Sequence, residues 1–433
     1  MQILKIETMI QSLTIKNFLS FKNEVSFSFE ATRDKKLEDY HVVEVAAGVR
    51  LLKFGVVYGA NASGKSNLIY AFEFLKEIWE HTSKFKNDPT GAVPFLLDKK
   101  TPDEPCCISL RFFINSIKYH YLLEISKEKI LKENLVYYPG TQPALIFDRQ
   151  LKNNISEIEF GAKIRISSLA KEEISLKCLP DTSVFAAYSQ VNINIAELIP
   201  VVEWIRNGFM HIVDPNVNLM DYAENIILRN PRIETNVLSF LQRADFNISS
   251  TRFRETDEYM EDFVKSNTNY MDIQLNGLIS ESEAKYNSKK LGFLHKIIND
   301  QGEDEFYLFP KGLQSAGTLR SFGLSVVILQ ALKNSSFLAI DEIESKLHPR
   351  LIEFVIENFL KQSKQAQLLV TTHYDGLLEE DDLLRKDNIW FTEKKRDGST
   401  QLFSLSDFNA VNRISSLQKA YKYGKFGAVP NIV

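Results

Sequence analysis

The stretch Gly59-Ala-Asn-Ala-Ser-Gly-Lys65-Ser66 constrains this chain more than any other. It follows an apolar run, Leu51 to Tyr58, with the pattern of a buried strand. It precedes Leu68, Phe72, Leu75 and Trp79, which share one face of a helix. A glycine-bounded loop between strand and helix can wrap its backbone around phosphates. Its N–H groups then point inward, and the helix aims its positive end at the anion. Gly59, Asn61, Ala62, Ser63, Gly64, Lys65, Ser66 and Asn67 are therefore candidate phosphate contacts. Lys65 offers a mobile cation to the β and γ phosphates, and Ser66 a hydroxyl to Mg²⁺. A chance match in a Gly/Ser loop is the alternative, and the two flanks oppose it. The chain has no Asn-Lys-x-Asp string, so ATP is the expected nucleotide rather than GTP.

Phe337-Leu-Ala-Ile340 is an apolar strand that runs into Asp341 and Glu342. Such a strand delivers both carboxylates to the C-terminal edge of a parallel sheet, where ligands of open α/β sheets bind. In that setting Asp341 would hold Mg²⁺, and Glu342 would orient and deprotonate an attacking water. The bland alternative is a strand ending in solvated acids. Leu368-Leu-Val-Thr-Thr-His373 is a second buried strand, ending in a histidine. His373 could contact the γ-phosphate and the water, or simply cap or fill the core. Upstream, Leu313-Gln-Ser315-Ala-Gly317-Thr318 opens a helix. A serine and a glycine there make either an anion site or an ordinary helix cap.

The 433 residues suggest two or three domains. The longest apolar stretches, about ten residues, fall short of the roughly 20 that span a bilayer. The charged Lys5 and Glu7 interrupt the start where a secretion signal needs an apolar run. Three cysteines fit neither a disulfide framework nor a zinc spacing, so a cytoplasmic setting is expected. The net charge of −4 argues against a surface that grips nucleic acid everywhere, but leaves room for a local basic groove. Alternating strands are expected at Gln11–Lys16, at Val25–Phe29 and over 107–124, with a turn at Asn115-Ser116. Helical spacing marks Ile195–Val213 and Glu234–Leu241. From about 305 onward the order is strand, loop, helix, strand, helix, strand, the alternation of a parallel α/β sheet. A hairpin at Asn388–Leu405 turns at Asp397-Gly398.

In this order, the strings resemble the ABC-type ATPase heads of the SMC/RecF superfamily. The nearer resemblance is to the AAA-type ATP-binding proteins of bacterial abortive-infection operons (the Rlo/Abi group), relatives of the OLD-family ATPases. It is carried by Asn17-Phe-Leu-Ser-Phe21, Gly59–Ser66, Ser315-Ala-Gly-Thr318, Asp341-Glu-Ile-Glu-Ser345, Leu347-His-Pro349, Thr371-Thr-His373 and the closing Tyr421–Pro430.

The resemblance implies an α/β, ABC-type P-loop ATPase head, with a mixed sheet flanked by helices and N-terminal antiparallel strands. Residues 1–150 and 301–433 would build this head, and 151–300 an inserted, mainly helical lobe. It also implies a homodimer, or a higher homo-oligomer of head-to-head dimers. ATP would be sandwiched so that Ser315 and Gly317 engage the γ-phosphate held by the other subunit. The implied role is an ATP-hydrolysing switch in anti-phage defence that controls a separate effector, a nuclease or toxin, with DNA or a phage component as a further partner. A RecF-like repair ATPase and an ATP-holding module with little turnover are the alternatives. The chain departs from the pattern in lacking a glutamine between residues 80 and 140 for a Q-loop. Only about 60 residues follow His373, so the Toprim nuclease of OLD proteins is not expected on this chain.

Weaker signals remain. Lys394-Lys-Arg396 reads as a solvated hairpin tip, and Arg33-Asp-Lys-Lys36 as a surface loop. Lys289 and Lys290 are ambiguous, and Asp245 belongs to a family-like string without evident chemistry. His348 is as fit for a structural role as for a functional one.

Overall fold

The computed structural model describes residues 6–82, 88–244, 246–255, 289–408 and 414–429. Asp245, Pro430 and the side chains of Lys289 and Lys290 lie outside the described residues. The chain divides into two compact units. The first comprises 1–215, 331–345 and 355–433, and the second 216–330 and 346–354.

The first unit contains a five-stranded sheet in the order Phe337–Ile340, Gln367–Thr372, Phe54–Gly59, Ile389–Lys394, Thr400–Ser404. The first four strands are parallel, and only the closing hairpin is antiparallel. Parallel strands are covered on both faces, which is why these segments read as continuous apolar runs. The run from Leu51 to Tyr58, expected as one strand, breaks at Lys53. There the side chain turns away and donates to the Ser363 carbonyl at 2.8 Å.

A seven-stranded antiparallel sheet stands in the same unit. Its order is Ile155–Phe160, Ala144–Lys152, Ile130–Tyr138, Ile117–Ile125, Cys106–Ile114, Thr8–Lys16, Val25–Ser28. Asn115 and Ser116, both at positive φ (47° and 65°), form the two-residue turn between the central strands. The helix Lys65–Glu80 contributes its apolar face to a core shared with both sheets. Its Phe72 ring lies 4.7 Å from Phe337 of one sheet and 6.5 Å from Phe27 of the other.

The inserted lobe differs from the expected 151–300. Ile155–Phe160 turns back through Asn153 and Asn154 (φ 50° and 61°) and closes the seven-stranded sheet, so no boundary falls at 150. The helices that follow, up to Asn207, pack into the same core: Trp79 is 6.0 Å from both Phe185 and Trp204. The helical spacing expected over Ile195–Val213 holds for Ile199–Asn207, while Phe209 and Val213 pair with Phe337 and Ile340 as extended chain, and these apolar faces belong to the first unit. The second unit carries a sheet as well as helices. It combines the helices Leu219–Arg229 and Arg232–Arg243 with an antiparallel sheet of Ile248–Glu255, Lys289–Ile298 and Asp304–Pro310. The string 313–320, placed with the head from sequence, lies in this unit. No helix among the described residues is long and apolar enough to cross a membrane.

Gln367 ties the two sheets of the first unit together. Its amide accepts from the Ile10 N–H at 2.5 Å and donates to the carbonyls of Ile10 and Leu52 at 2.9 and 3.1 Å. It is 1% exposed, so its loss would strand buried backbone groups without water. Gln367→Ala should destabilise the protein by about 2–3 kcal/mol in chemical denaturation. An unchanged midpoint would contradict this account.

Candidate functional site

Parallel strands bring their C-terminal ends to one edge. Here that edge gathers the loop after Gly59, the acids after Ile340, His373 after Thr372, and Lys394. A pocket of about 630 Å³ opens there. It is lined by Asn61, Ala62, Ser63, Gly64, Lys65, Ser66, Asn67, Glu342, His373 and Lys394, together with Leu19, Ser20, the segment 93–97 and Gly398.

The loop conformation depends on its glycines. Gly64 has φ +107°, and a Cβ there would stand 2.2 Å from Thr400 Oγ1 and 2.8 Å from Ser20 Oγ. A Cβ on Gly59 would meet Ser63 Oγ and Thr392 Oγ1 at 2.4 Å. The hydroxyls that crowd the glycines also hold the loop. Ser63 and Thr392 share a hydrogen bond of 2.7 Å, and Thr400 donates to the Ser63 carbonyl at 2.8 Å. Asn67 donates to Ser20 Oγ at 2.7 Å. Lys65 curls over the loop and donates to the carbonyls of Gly59 and Ala60 at 2.9 and 3.1 Å. Burial pulls its pKa down to about 8, against the opposing pull of Glu344, Asp341 and Glu342.

One hydroxyl orders the two acids. Thr371 Oγ1, on the neighbouring strand, donates to Asp341 Oδ1 at 2.5 Å and accepts the Glu342 N–H at 2.8 Å. Asp341 is 3% exposed and sits behind the pocket rather than on its wall. Glu342 has φ +46°, a conformation that costs a non-glycine residue on the order of 1–3 kcal/mol. That turn carries its carboxylate out of the strand line and into the pocket. His373 Nε2 lies 3.8 Å from Glu342 Oε1, and Nδ1 lies 3.5 Å from Lys65 Nζ. The Glu344 carboxylate accepts the His373 backbone N–H. Burial, and then the Lys65 charge, lower the His373 pKa, which favours a neutral imidazole at neutral pH.

Several contributors carried no signal of their own in the sequence. Ser20 lies in the string Asn17–Phe21, but nothing local ties it to Gly64. Thr392 and Thr400 read as ordinary strand residues, and Thr371 and Glu344 lie in family-like strings without a role of their own. Lys394 corrects an expectation: it lines the pocket, because its strand pairs directly with the phosphate-loop strand, Thr392 opposite Gly59. Lys395 and Arg396 stay exposed, as a hairpin tip should. The 33–36 loop lies against Arg385, which donates to the carbonyls of Asp34 and Lys36. His348 accepts from the Arg350 N–H at 3.3 Å in a local turn. Ser315 caps its helix by accepting from the Thr318 N–H at 3.0 Å.

A lysine that binds anions only when charged, and whose pKa is near 8, gives a definite pH dependence. Affinity for inorganic tripolyphosphate should be level below about pH 8 and fall as Lys65 loses its proton above it. Calorimetric titration between pH 6.5 and 9.5, with Lys65→Ala as control, checks this. A profile that stays level throughout would contradict it.

The family model described as "AAA domain, putative AbiEii toxin, Type IV TA system" matches residues 54–175 and 196–379, more than half of the chain. Similar solved structures include the SMC head domain from Thermotoga maritima. It is 14% identical with a TM-score of 0.42, and the match covers 91% of this chain and 98% of that one. The SmcHead bound to the C-winged helix domain of ScpA gives 14%, 0.41, 95% and 99% in the same order. An Smc head with an extended coiled coil, bound to the C-terminal domain of ScpA derived from Pyrococcus furiosus, gives 16%, 0.36, 97% and 99%. No curated protein matches the chain. With its phosphate loop, paired acids and histidine gathered at one sheet edge, the chain belongs to the AAA-domain family of that description.

Proposed function

We propose that the protein is a cytoplasmic, ATP-hydrolysing switch that dimerises around ATP and controls a separate effector in anti-phage defence. The observation that carries the reading is one pocket lined by Lys65, Ser66, Glu342 and His373, with Asp341 buried behind it. The loop N–H groups and Lys65 bind the β and γ phosphates. Ser66 and Asp341 supply hard oxygen donors suited to Mg²⁺, which takes few protein ligands and completes its shell with phosphate oxygens and water. When bound, Mg²⁺ would neutralise developing charge on the phosphates. Glu342 orients the attacking water and accepts its proton. Neutral His373 can offer a hydrogen bond to the γ-phosphate without placing a second cation beside Lys65.

The family description, with its "putative AbiEii toxin" and toxin–antitoxin system, supports a role in toxin-linked defence. Support for a shared site comes from the resemblance of the 313–320 string to the signature of ABC-type ATPases. Ser315 and Gly317 then serve the nucleotide of a second copy.

Glu342→Gln should bind ATP as the unchanged protein does and lose turnover by about 10²–10⁴-fold. Its mass in solution with ATP and Mg²⁺ should be that of a dimer, and a mass indifferent to ATP would defeat the switch. Mixing Lys65→Ala with Gly317→Asp subunits should restore one working site per dimer. A mixture as inactive as its parts would defeat the shared site. Steady turnover by the lone chain separates a switch from a static ATP holder, and strongly salt-dependent DNA binding would favour the repair alternative.

A further inference from the structure

The chemistry described so far uses one side of the pocket and leaves its apolar side without a task. That side is Val93-Pro-Phe-Leu-Leu97, together with Leu19. The segment has no polar side chain, and three of its backbone groups are engaged. The Val93 carbonyl accepts the Leu19 N–H at 2.7 Å. The Phe95 N–H donates to Asn17 Oδ1 at 3.0 Å, and the Phe95 carbonyl accepts the Thr101 hydroxyl at 2.6 Å. Pro94 has no N–H to offer.

The strap is also clamped. Asn17, 1% exposed, donates to the carbonyls of Thr101 and Glu104 at 2.8 and 3.0 Å, and so holds the strap's far end. Lys22 pairs with Asp98 at 2.8 Å and Asp397 at 3.8 Å, which ties the strap to the hairpin turn. Despite this, Leu96 and Leu97 are 57% and 66% exposed. Two large aliphatic side chains are thus held in water on a strap that cannot fold them away. They line the same pocket as the phosphate loop, and its volume lies within the roughly 300–1,000 Å³ usual for small-molecule sites.

We propose that the strap Val93–Leu97 is the nucleobase seat of this site. It holds the base by apolar packing rather than by hydrogen bonds, so purine nucleoside triphosphates bind alike whether adenine or guanine. The inference rests on the nucleotide reading above and departs from its expectation of ATP over GTP. The nearest polar side chain on that side, Ser20, does not alter it. Its hydroxyl is already shared by Asn67 and Thr400, each at 2.7 Å. A site built on hydrogen bonds can reject a wrong partner by about 10⁴-fold, whereas a packing surface discriminates by one or two powers of ten at most.

The test is calorimetric titration of the full chain with ATP, GTP and inorganic tripolyphosphate, before and after Leu97→Ser. An exposed position makes this change safe for folding, and a thermal melt verifies it. ATP and GTP should bind within about fivefold of each other. Leu97→Ser should weaken both by about tenfold while leaving tripolyphosphate affinity unchanged. ATP affinity unaffected by Leu97→Ser, or GTP weaker than ATP by more than about 100-fold, would overturn the base seat alone. Failure of the unchanged protein to bind either ATP or tripolyphosphate would overturn the nucleotide reading, and this inference with it.

Discussion

The site depends on the placement of the strand Gln367–Thr372 between Phe54–Gly59 and Phe337–Ile340. Its parallel register sets Thr372 opposite Tyr58 and Val370 opposite Ile340. Each strand therefore ends at the same level, and each ending carries a different part of the chemistry. Side chains alternate along a strand, so a slip of one residue would turn Thr371 away from the acids it orders. Gln367 guards that register from the other end, where its amide locks the strand to Ile10 and Leu52.

Once the edges are aligned, the electrostatics follow from burial. A lysine, a histidine and three carboxylates share a small, partly dry volume. Desolvation disfavours the charged forms of Lys65 and His373, and the carboxylates work against it. Lys65 is held by the carbonyls of its own loop, and His373 is fixed through its backbone by Glu344. The strained backbone at Glu342 fits this pattern. Strain of that kind persists where surrounding contacts over-determine it, and the Thr371 hydroxyl supplies one such contact.

The phosphate loop is held as much by what surrounds it as by its own glycines. Ser20, Thr392 and Thr400 crowd Gly59 and Gly64 so closely that no side chain fits at either position. The closing hairpin, which carries both threonines, is therefore part of the loop's support. It also presents Lys394 to the pocket and, through Asp397, a partner to Lys22 beneath the strap.

The sequence by itself determined the phosphate loop, the apolar strands ending in Asp341-Glu342 and His373, and the alternation of an α/β sheet. These depend on short-range physics: glycine's freedom at positive φ, the N–H groups at a helix start, and the period of apolar residues. Only the tertiary structure decided that residues 151–207 complete the first unit, that the inserted unit carries its own sheet, and that Lys394 reaches the pocket. It also decided that Thr371 orders both acids. Each of these rests on pairing between segments far apart in the chain. Strand order, register and core sharing are set by which distant surfaces bury each other, and no local pattern encodes that choice.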